Sequence, residues 1–226
     1  MSLKKKHIGL LGLGSHSTCY YLEQLNAEYN RLYGGFSTCP IKMLNTNFNE
    51  INPYLPHDFE NLEPITSKSI IEISELGIEC LIVPNITLHE TLDRLKLGKI
   101  MIVHPVYEAA RKLKVNGAKE IVLFGSIFTM DGVYIPQIFL EYSIKTIQPS
   151  DNDKSAIDDL RKIVYQHGAS KESEAALKSL IERYINDFEV VIACTELSML
   201  LENQTADKLY DLVQIQIDKA VAIINT

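Results

Sequence analysis

Two pieces of this chain occur twice. Lys6-His7-Ile8-Gly9-Leu10-Leu11-Gly12 resembles Lys119-Glu120-Ile121-Val122-Leu123-Phe124-Gly125, and Glu79–His89 resembles Glu189–Met199. The offset is roughly 110 residues, too long for a solenoid repeat and the right size for a duplicated domain. Around the repeats, short β-branched runs alternate with amphipathic stretches. Strands are expected at His7–Leu11, Ile41–Asn45, Glu79–Val83, Ile100–Val103, Glu120–Phe124, Ile144–Ile147 and Val190–Ala193. Helices are expected at Thr18–Leu32, Ser67–Leu76, Leu88–Leu97, Val106–Leu113, Asp153–Gln166, Glu172–Ile185 and Lys208–Ile224. Strand–helix alternation of this kind predicts an α/β fold whose parallel sheets are covered on both faces. Residues 1–103 with 208–226 are expected to form one α/β domain and 104–207 the other. Two such domains would place a ligand cleft between them, at the carboxyl ends of the strands.

The length of 226 residues suits one large or two small domains, and the net charge of −7 lacks the basic face that nucleic-acid binding needs. The apolar run Ile8–Leu13 after Lys4-Lys5-Lys6 is shorter than the roughly seven residues a signal peptide requires, so it reads as a buried strand. No stretch approaches the roughly 18 apolar residues of a membrane span.

The four cysteines, Cys19, Cys39, Cys80 and Cys194, show neither a CxxC pair nor zinc-binding spacing. Reduced thiols and a cytoplasmic setting follow. Cys80 and Cys19 read as core residues and Cys39, beside Pro40, as a loop thiol. Cys194 differs, because it stands where a strand turns into a helix and Thr195-Glu196-Leu197 follows it. Val83-Pro84-Asn85-Ile86-Thr87-Leu88-His89 is the matching turn in the first copy, with Asn85 in place of a cysteine. Asn85 reads equally as a helix cap and as a ligand contact, and His89 as a structural hydrogen-bonding residue. Asp211 is read as complementing the dipole in the first turn of the last helix.

Gly9, Gly12 and Gly14 nearly make a dinucleotide fingerprint, but Gly12-Leu13-Gly14-Ser15-His16-Ser17 lacks the third glycine. The second strand ends near Asn45 without an acidic residue to hold a ribose, so nucleotide binding is set aside. Ser15, Ser17 and Thr18 can still aim amides and hydroxyls at an anion at a helix N-terminus.

Taken in order, Gly9-Leu10-Leu11-Gly12 with Ser17-Thr18, Phe48-Asn49-Glu50-Ile51, Thr87-Leu88-His89, Gly125-Ser126-Ile127-Phe128-Thr129-Met130 and Cys194-Thr195-Glu196-Leu197 resemble the aspartate/glutamate racemase family. That family lies within the superfamily of hydantoin racemases, maleate isomerases and arylmalonate decarboxylases. The resemblance runs nearly end to end. It implies two Rossmann-like domains related by pseudo-two-fold symmetry, with a cysteine from each half in the cleft. It implies no cofactor, neither pyridoxal phosphate nor metal. One thiolate removes the α-proton of a small acidic amino acid and the opposite thiol reprotonates the other face. A thiolate is accessible near neutral pH where a helix N-terminus stabilises it, the place Cys194 occupies.

Carried over by the resemblance, Cys194 matches the second catalytic cysteine and Thr195 a substrate anchor. Thr87 and His89 match the end of the first motif, Ser126 and Thr129 polar substrate contacts, and Ser15, Ser17 and Thr18 the first loop. Lys171 corresponds loosely to a lysine that meets a side-chain carboxylate in some relatives. Four departures stand out: Asn85 occupies the first cysteine's position, Ile86 that of a carboxylate-binding asparagine, the first loop is one residue shorter, and His16 falls where an acidic residue is usual. An amide neither takes nor gives a proton usefully near neutral pH.

Three functions are therefore open. The first is a cofactor-independent racemase acting on aspartate, glutamate or an analogue. The second is a one-cysteine relative that decarboxylates or isomerises a small dicarboxylate. The third is a non-catalytic binding homologue. Relatives are often homodimers; neither nucleic acid nor membrane is an expected partner.

Overall fold

The computed structural model describes residues 6–201 and 206–225. The chain divides into two compact units, Met1–His104 with Gln216–Thr226, and Pro105–Ile215.

The first unit begins with β1 (Ile8–Gly12), buried along its whole length, and α1 (Ser15–Tyr33). There follow β2 (Ile41–Asn45), two single-turn 3₁₀ helices (Phe48–Glu50 and Asn52–Tyr54), α2 (Phe59–Ser74), β3 (Cys80–Ile82) and α3 (His89–Arg94). The sheet is parallel in the order β2-β1-β3. The strand expected at 100–103 is reduced to one bridge, Leu81 with Ile102, whose bonds run from Leu81 N to Met101 O (2.8 Å) and from Val103 N to Leu81 O (2.9 Å). Pro105 opens the next helix and stops the pairing there.

Helix α2 starts eight residues before the expected Ser67, at Phe59. Pro64 lies inside this helix and, lacking an N–H, forfeits one backbone bond. Asp58 accepts from Asn61 N to cap the start, and Leu62, Thr66, Ile70 and Ile73 form one buried face, which outweighs the lost bond. Gln216 binds the closing segment to this unit, accepting from Tyr21 Oη (2.8 Å) and donating to Val103 O (2.6 Å) in a fully buried position.

The second unit holds α4 (Pro105–Val115), β4 (Glu120–Phe124), α5 (Ile127–Asp131), α6 (Tyr134–Glu141), β5 (Lys145–Ile147) and α7 (Asp151–His167). After these come α8 (Lys171–Glu182), β6 (Glu189–Ile192), α9 (Thr195–Ser198), β7 (Leu209–Asp211) and the start of α10 (Leu212–Ile224). The sheet is again parallel, in the order β5-β4-β6-β7. Strand β7 replaces the first turn of the helix expected from Lys208. Asp211 therefore precedes α10 and caps it, its Oδ1 accepting from Val213 N at 3.0 Å.

The α/β class with two parallel sheets agrees with the sequence reading, and the sheets share one plan. Ile8 and Ile121 hold the same place in the repeated segments. Ile8 pairs with Ile41 and Cys80, and Ile121 with Thr146 and Glu189. The single bridge Leu81–Ile102 then answers the pair Val190–Leu209 of the β6–β7 ladder.

One cysteine expectation is corrected: Cys19 lies on the exposed face of α1. Cys39 lies in the loop before β2, as expected, and is buried there, its amide donating to Asn26 Oδ1 at 3.0 Å. Burial pushes the Cys39 and Cys80 thiols up to about 12.

Candidate functional site

In the second unit the turns that carry the candidate residues follow β4 and β6, neighbouring parallel strands whose carboxyl ends lie side by side. Ala193 N donates to Phe124 O (2.7 Å), which holds the β6 turn against the end of β4. Cys194 follows in extended conformation (φ −154°, ψ 127°) as the cap of α9. Its carbonyl accepts from Leu197 N (3.1 Å) and Ser198 N (3.0 Å), and Ser198 Oγ lies 3.1 Å away. Its thiol donates to Glu196 Oε2 at 2.8 Å.

That bond changes the expected state of the sulfur. Burial, then the charge and hydrogen bond of Glu196, push the Cys194 thiol well above its ordinary range, while the amides of Leu197 and Glu196 pull it partly back. Helix α9 is a single turn, too short to offset a buried site beside a carboxylate. The expectation of a thiolate near neutral pH is thus corrected: in this fold Cys194 is a protonated thiol with an acceptor attached.

The turn after β4 is organised by side chains. Ser126 Oγ accepts from Thr129 N (3.1 Å) and lies 2.9 Å from Thr129 Oγ1, capping α5. Ile127 N donates to Asp158 Oδ1 of α7 at 3.1 Å. Gly125 allows the close approach, since a Cβ there would stand 2.8 Å from Thr129 Cγ2. Thr195, first residue of α9, is buried. Lys171 is the exposed first residue of α8 and is not drawn into these turns.

The corresponding turns of the first unit follow β1 and β3. Ser15 opens α1 and is exposed, Ser17 Oγ donates to Gly14 O (3.1 Å), and Thr18 Oγ1 accepts from Leu13 N (3.1 Å). Two of the three first-loop hydroxyls thus fasten the loop itself. After β3, Asn85 Oδ1 accepts from Leu88 N at 2.9 Å and closes the turn ahead of α3. The helix-cap reading of Asn85 is corrected, because the cap of α3 is Leu88, which makes no side-chain bond there. Ile86 is buried and Thr87 half-buried. His89 is fully buried, and because a carbonyl only accepts, its Nδ1 carries the proton that it gives to Asn85 O at 2.8 Å. Its ring meets that of His104 edge to face at 4.7 Å. Burial, then His104, lowers the His89 pKa to about 3, so the ring is neutral.

The strand register relates the two turns. Asn85 stands five residues past Cys80, the partner of Ile8, and Cys194 five residues past Glu189, the partner of Ile121. Four residues on stand His89 and Ser198, each with a side chain at the carbonyl of that turn residue. Sequence reasoning missed Glu196 as the thiol's partner, although its place two residues after Cys194 was visible. It also missed the pairs His89–His104 and Ser198–Asp211, which form only when the chain folds.

Among the described residues no group of three or more His, Cys, Asp or Glu is placed to hold a metal, and no helix is long and apolar enough to cross a membrane.

No protein-family model matches the sequence, and no curated protein matches it. Solved structures do match. A candidate Asp/Glu racemase from Yersinia pestis aligns with a TM-score of 0.81 at 23% identity, covering 98% of this chain and 100% of that one. An aspartate racemase homologue from Pyrococcus horikoshii gives 0.82 at 20% identity, with 99% and 100% covered. An aspartate racemase from Picrophilus torridus gives 0.76 at 15% identity, with 97% and 94% covered. This chain therefore has the α/β fold of those racemase structures along nearly its whole length.

Proposed function

We propose that this protein is a racemase-like isomerase of the aspartate/glutamate racemase superfamily. It acts on aspartate, glutamate or a related small acidic compound by proton transfer at Cys194, without pyridoxal phosphate or metal. The observation that carries the reading is the thiol of Cys194, buried at the β6–α9 turn with Glu196 Oε2 as its acceptor. The likeness of fold to the racemase structures supports it. Ser126, Thr129 and Thr195 supply hydroxyls and amides at the ends of β4 and β6 for a substrate carboxylate. Ser15, Ser17, Thr18 and Thr87 are assigned the same role in the first unit, and Lys171 that of a side-chain carboxylate contact.

The dyad defines the chemistry. Transfer of the thiol proton to Glu196 leaves a thiolate and a neutral carboxylic acid. That thiolate removes the α-proton of a bound amino acid, and the thiol so formed can return a proton only to the same face. Inversion needs a proton delivered to the opposite face by water, the hydroxide so formed being neutralised by the proton held on Cys194. The transfer from thiol to Glu196 moves a negative charge from the half-buried carboxylate to the buried sulfur without creating a new one, and the amides of Leu197 and Glu196 offset part of the desolvation cost of the thiolate.

The test is deuterium uptake at Cα of L- and D-aspartate and L- and D-glutamate in heavy water with no added cofactor. Exchange is expected, and Cys194→Ala should abolish it. No exchange with any of the four would overturn the reading for those substrates.

A second reading is favoured by Asn85, whose side chain closes the turn ahead of α3 and is no proton donor or base near neutral pH. A single thiol can protonate one face of an enolate formed by decarboxylation or isomerisation of a dicarboxylate. Such a reaction run in heavy water yields one enantiomer. A racemic product counts against it, and a dicarboxylate that stabilises the fold but is recovered unchanged points instead to a binding homologue.

A further inference from the structure

The equivalence of the two turns extends beyond Asn85 and Cys194. His104 stands two residues past Ile102, and Asp211 two residues past Leu209, the equivalent partners of Leu81 and Val190. Each is the last residue before a helix, α4 or α10. In the first unit the ring of His89 bonds Asn85 O and packs against His104. In the second, the hydroxyl of Ser198 lies 3.1 Å from Cys194 O and 2.7 Å from Asp211 Oδ1. The residue types differ, but the connectivity is the same: turn carbonyl, side chain four residues on, side chain at the next helix start.

A serine bonding the carbonyl four residues back is common in helices by itself. What the shared plan adds is the second anchor. Asp211 Oδ1 also accepts from Val213 N, so the carboxylate is fixed to the start of α10. Ser198 is fully buried, and its one proton is shared between two acceptors held by different elements. The conformation of Cys194 is thereby fixed from α10 as well as from α9.

We infer that Ser198 and Asp211 act as one positioning pair that sets the Cys194 thiol against Glu196, and that His89 and His104 hold the Asn85 turn in the same manner. Neither Ser198 nor Asp211 is a catalytic residue in this scheme; both act through Cys194. The inference rests on Cys194 being the reacting thiol.

The test reads Cys194 directly and needs no substrate, so it stands apart from the racemase assay. The protein is treated with iodoacetamide across pH 7–10, and Cys194 alkylation is followed by peptide mapping. Ser198→Ala should speed alkylation by roughly five- to tenfold at a given pH, the contribution of about one buried hydrogen bond. Asp211→Ala should do the same, and the double variant should be no faster than either alone, because the two act as a unit. Asp211→Asn keeps an acceptor oxygen for both Ser198 and Val213 and should restore the slow rate. Amide hydrogen exchange of β4 and β6 should stay protected in every variant. Unchanged alkylation, additive single effects, or faster alkylation only where β6 also loses protection would each overturn the inference.

Discussion

Cys194 and Glu196 share one proton across 2.8 Å, the thiol donating to Oε2. The carboxylate therefore does two opposite things: it holds the thiol protonated, and it is the nearest base able to take that proton away. Glu196→Gln separates these roles. The amide carbonyl still accepts the thiol proton, but the charge that raises the thiol's pKa is gone. The pH profile of Cys194 alkylation should move to lower pH in the variant, while any exchange activity falls because the base is lost. A profile that moves upward, or stays where it was, would show that Glu196 does not govern the sulfur.

Asn85 serves the turn before it serves any ligand. Its Oδ1 accepts from Leu88 N, and one such hydrogen bond is worth about 0.5–1.5 kcal/mol. Asn85→Ala should therefore lower stability by about that amount in urea unfolding, whereas Asn85→Asp should hold near wild type. Asn85→Cys should suffer a loss like alanine's and is the variant that asks whether this turn serves the same substrate as Cys194. Gain of two-base exchange in Asn85→Cys despite the lost turn bond would answer yes. If Asn85→Ala is as stable as wild type, the turn bond contributes nothing.

His89 gives the fold an acid-side weakness. Its folded pKa is about 3 and its unfolded value near 6.5, so between them the unfolded chain binds the extra proton. Stability from the neutral ring is fully present above about pH 6.5 and is lost as pH falls toward 3, at up to about 1.4 kcal/mol per pH unit. His89→Gln keeps a side-chain amide to donate to Asn85 O and cannot take that proton. Urea midpoints from pH 7 to 4.5 should fall more steeply for wild type than for His89→Gln. Equal slopes would mean that the buried ring does not carry the acid sensitivity.

How much of this was readable beforehand depends on the kind of pattern. Strands β4 and β6 announce themselves because each is a continuous apolar run after an opening glutamate, the mark of a strand buried on both faces. The turns after β3 and β6 followed from the repeat. Helices α5 and α6 did not, because Ile127–Glu141 is apolar with Gly132 and Pro136 inside it, and neither period stands out. Strand β7 was absorbed into a helix since Leu209-Tyr210-Asp211 is only three residues and runs into an amphipathic stretch. In the site, position was legible and chemistry was not. Ser198 and Asp211 lie 13 residues apart in sequence, and only the β6–β7 pairing brings them to 2.7 Å. Burial of the Cys194 sulfur, which inverts its expected protonation, has no local signature either.

Asp158 is the support beneath the Ser126–Thr129 turn. It is buried in α7, where its Oδ1 accepts from Ile127 N (3.1 Å) and Arg161 Nε (2.7 Å), and its Oδ2 pairs with Lys162 (2.7 Å). Burial works against its charge, but Lys162, the Ile127 amide and Arg161 together outweigh it and hold its pKa below the ordinary carboxylate value. The sign is therefore the usual one for a carboxylate: its contribution is whole above the unfolded pKa near 4 and fades as pH falls through the lower folded value. Asp158→Ala leaves Ile127 N without that acceptor and should cost about 1–3 kcal/mol at pH 7. The gap to wild type should persist down to pH 5 and begin to close only below about pH 4. The same variant should speed amide exchange at Ile127 and Thr129 before it affects β4, because the support acts on the turn and not on the strand. Exchange that rises equally in the turn and in β4 would show that Asp158 stabilises the unit as a whole instead of positioning Ser126 and Thr129.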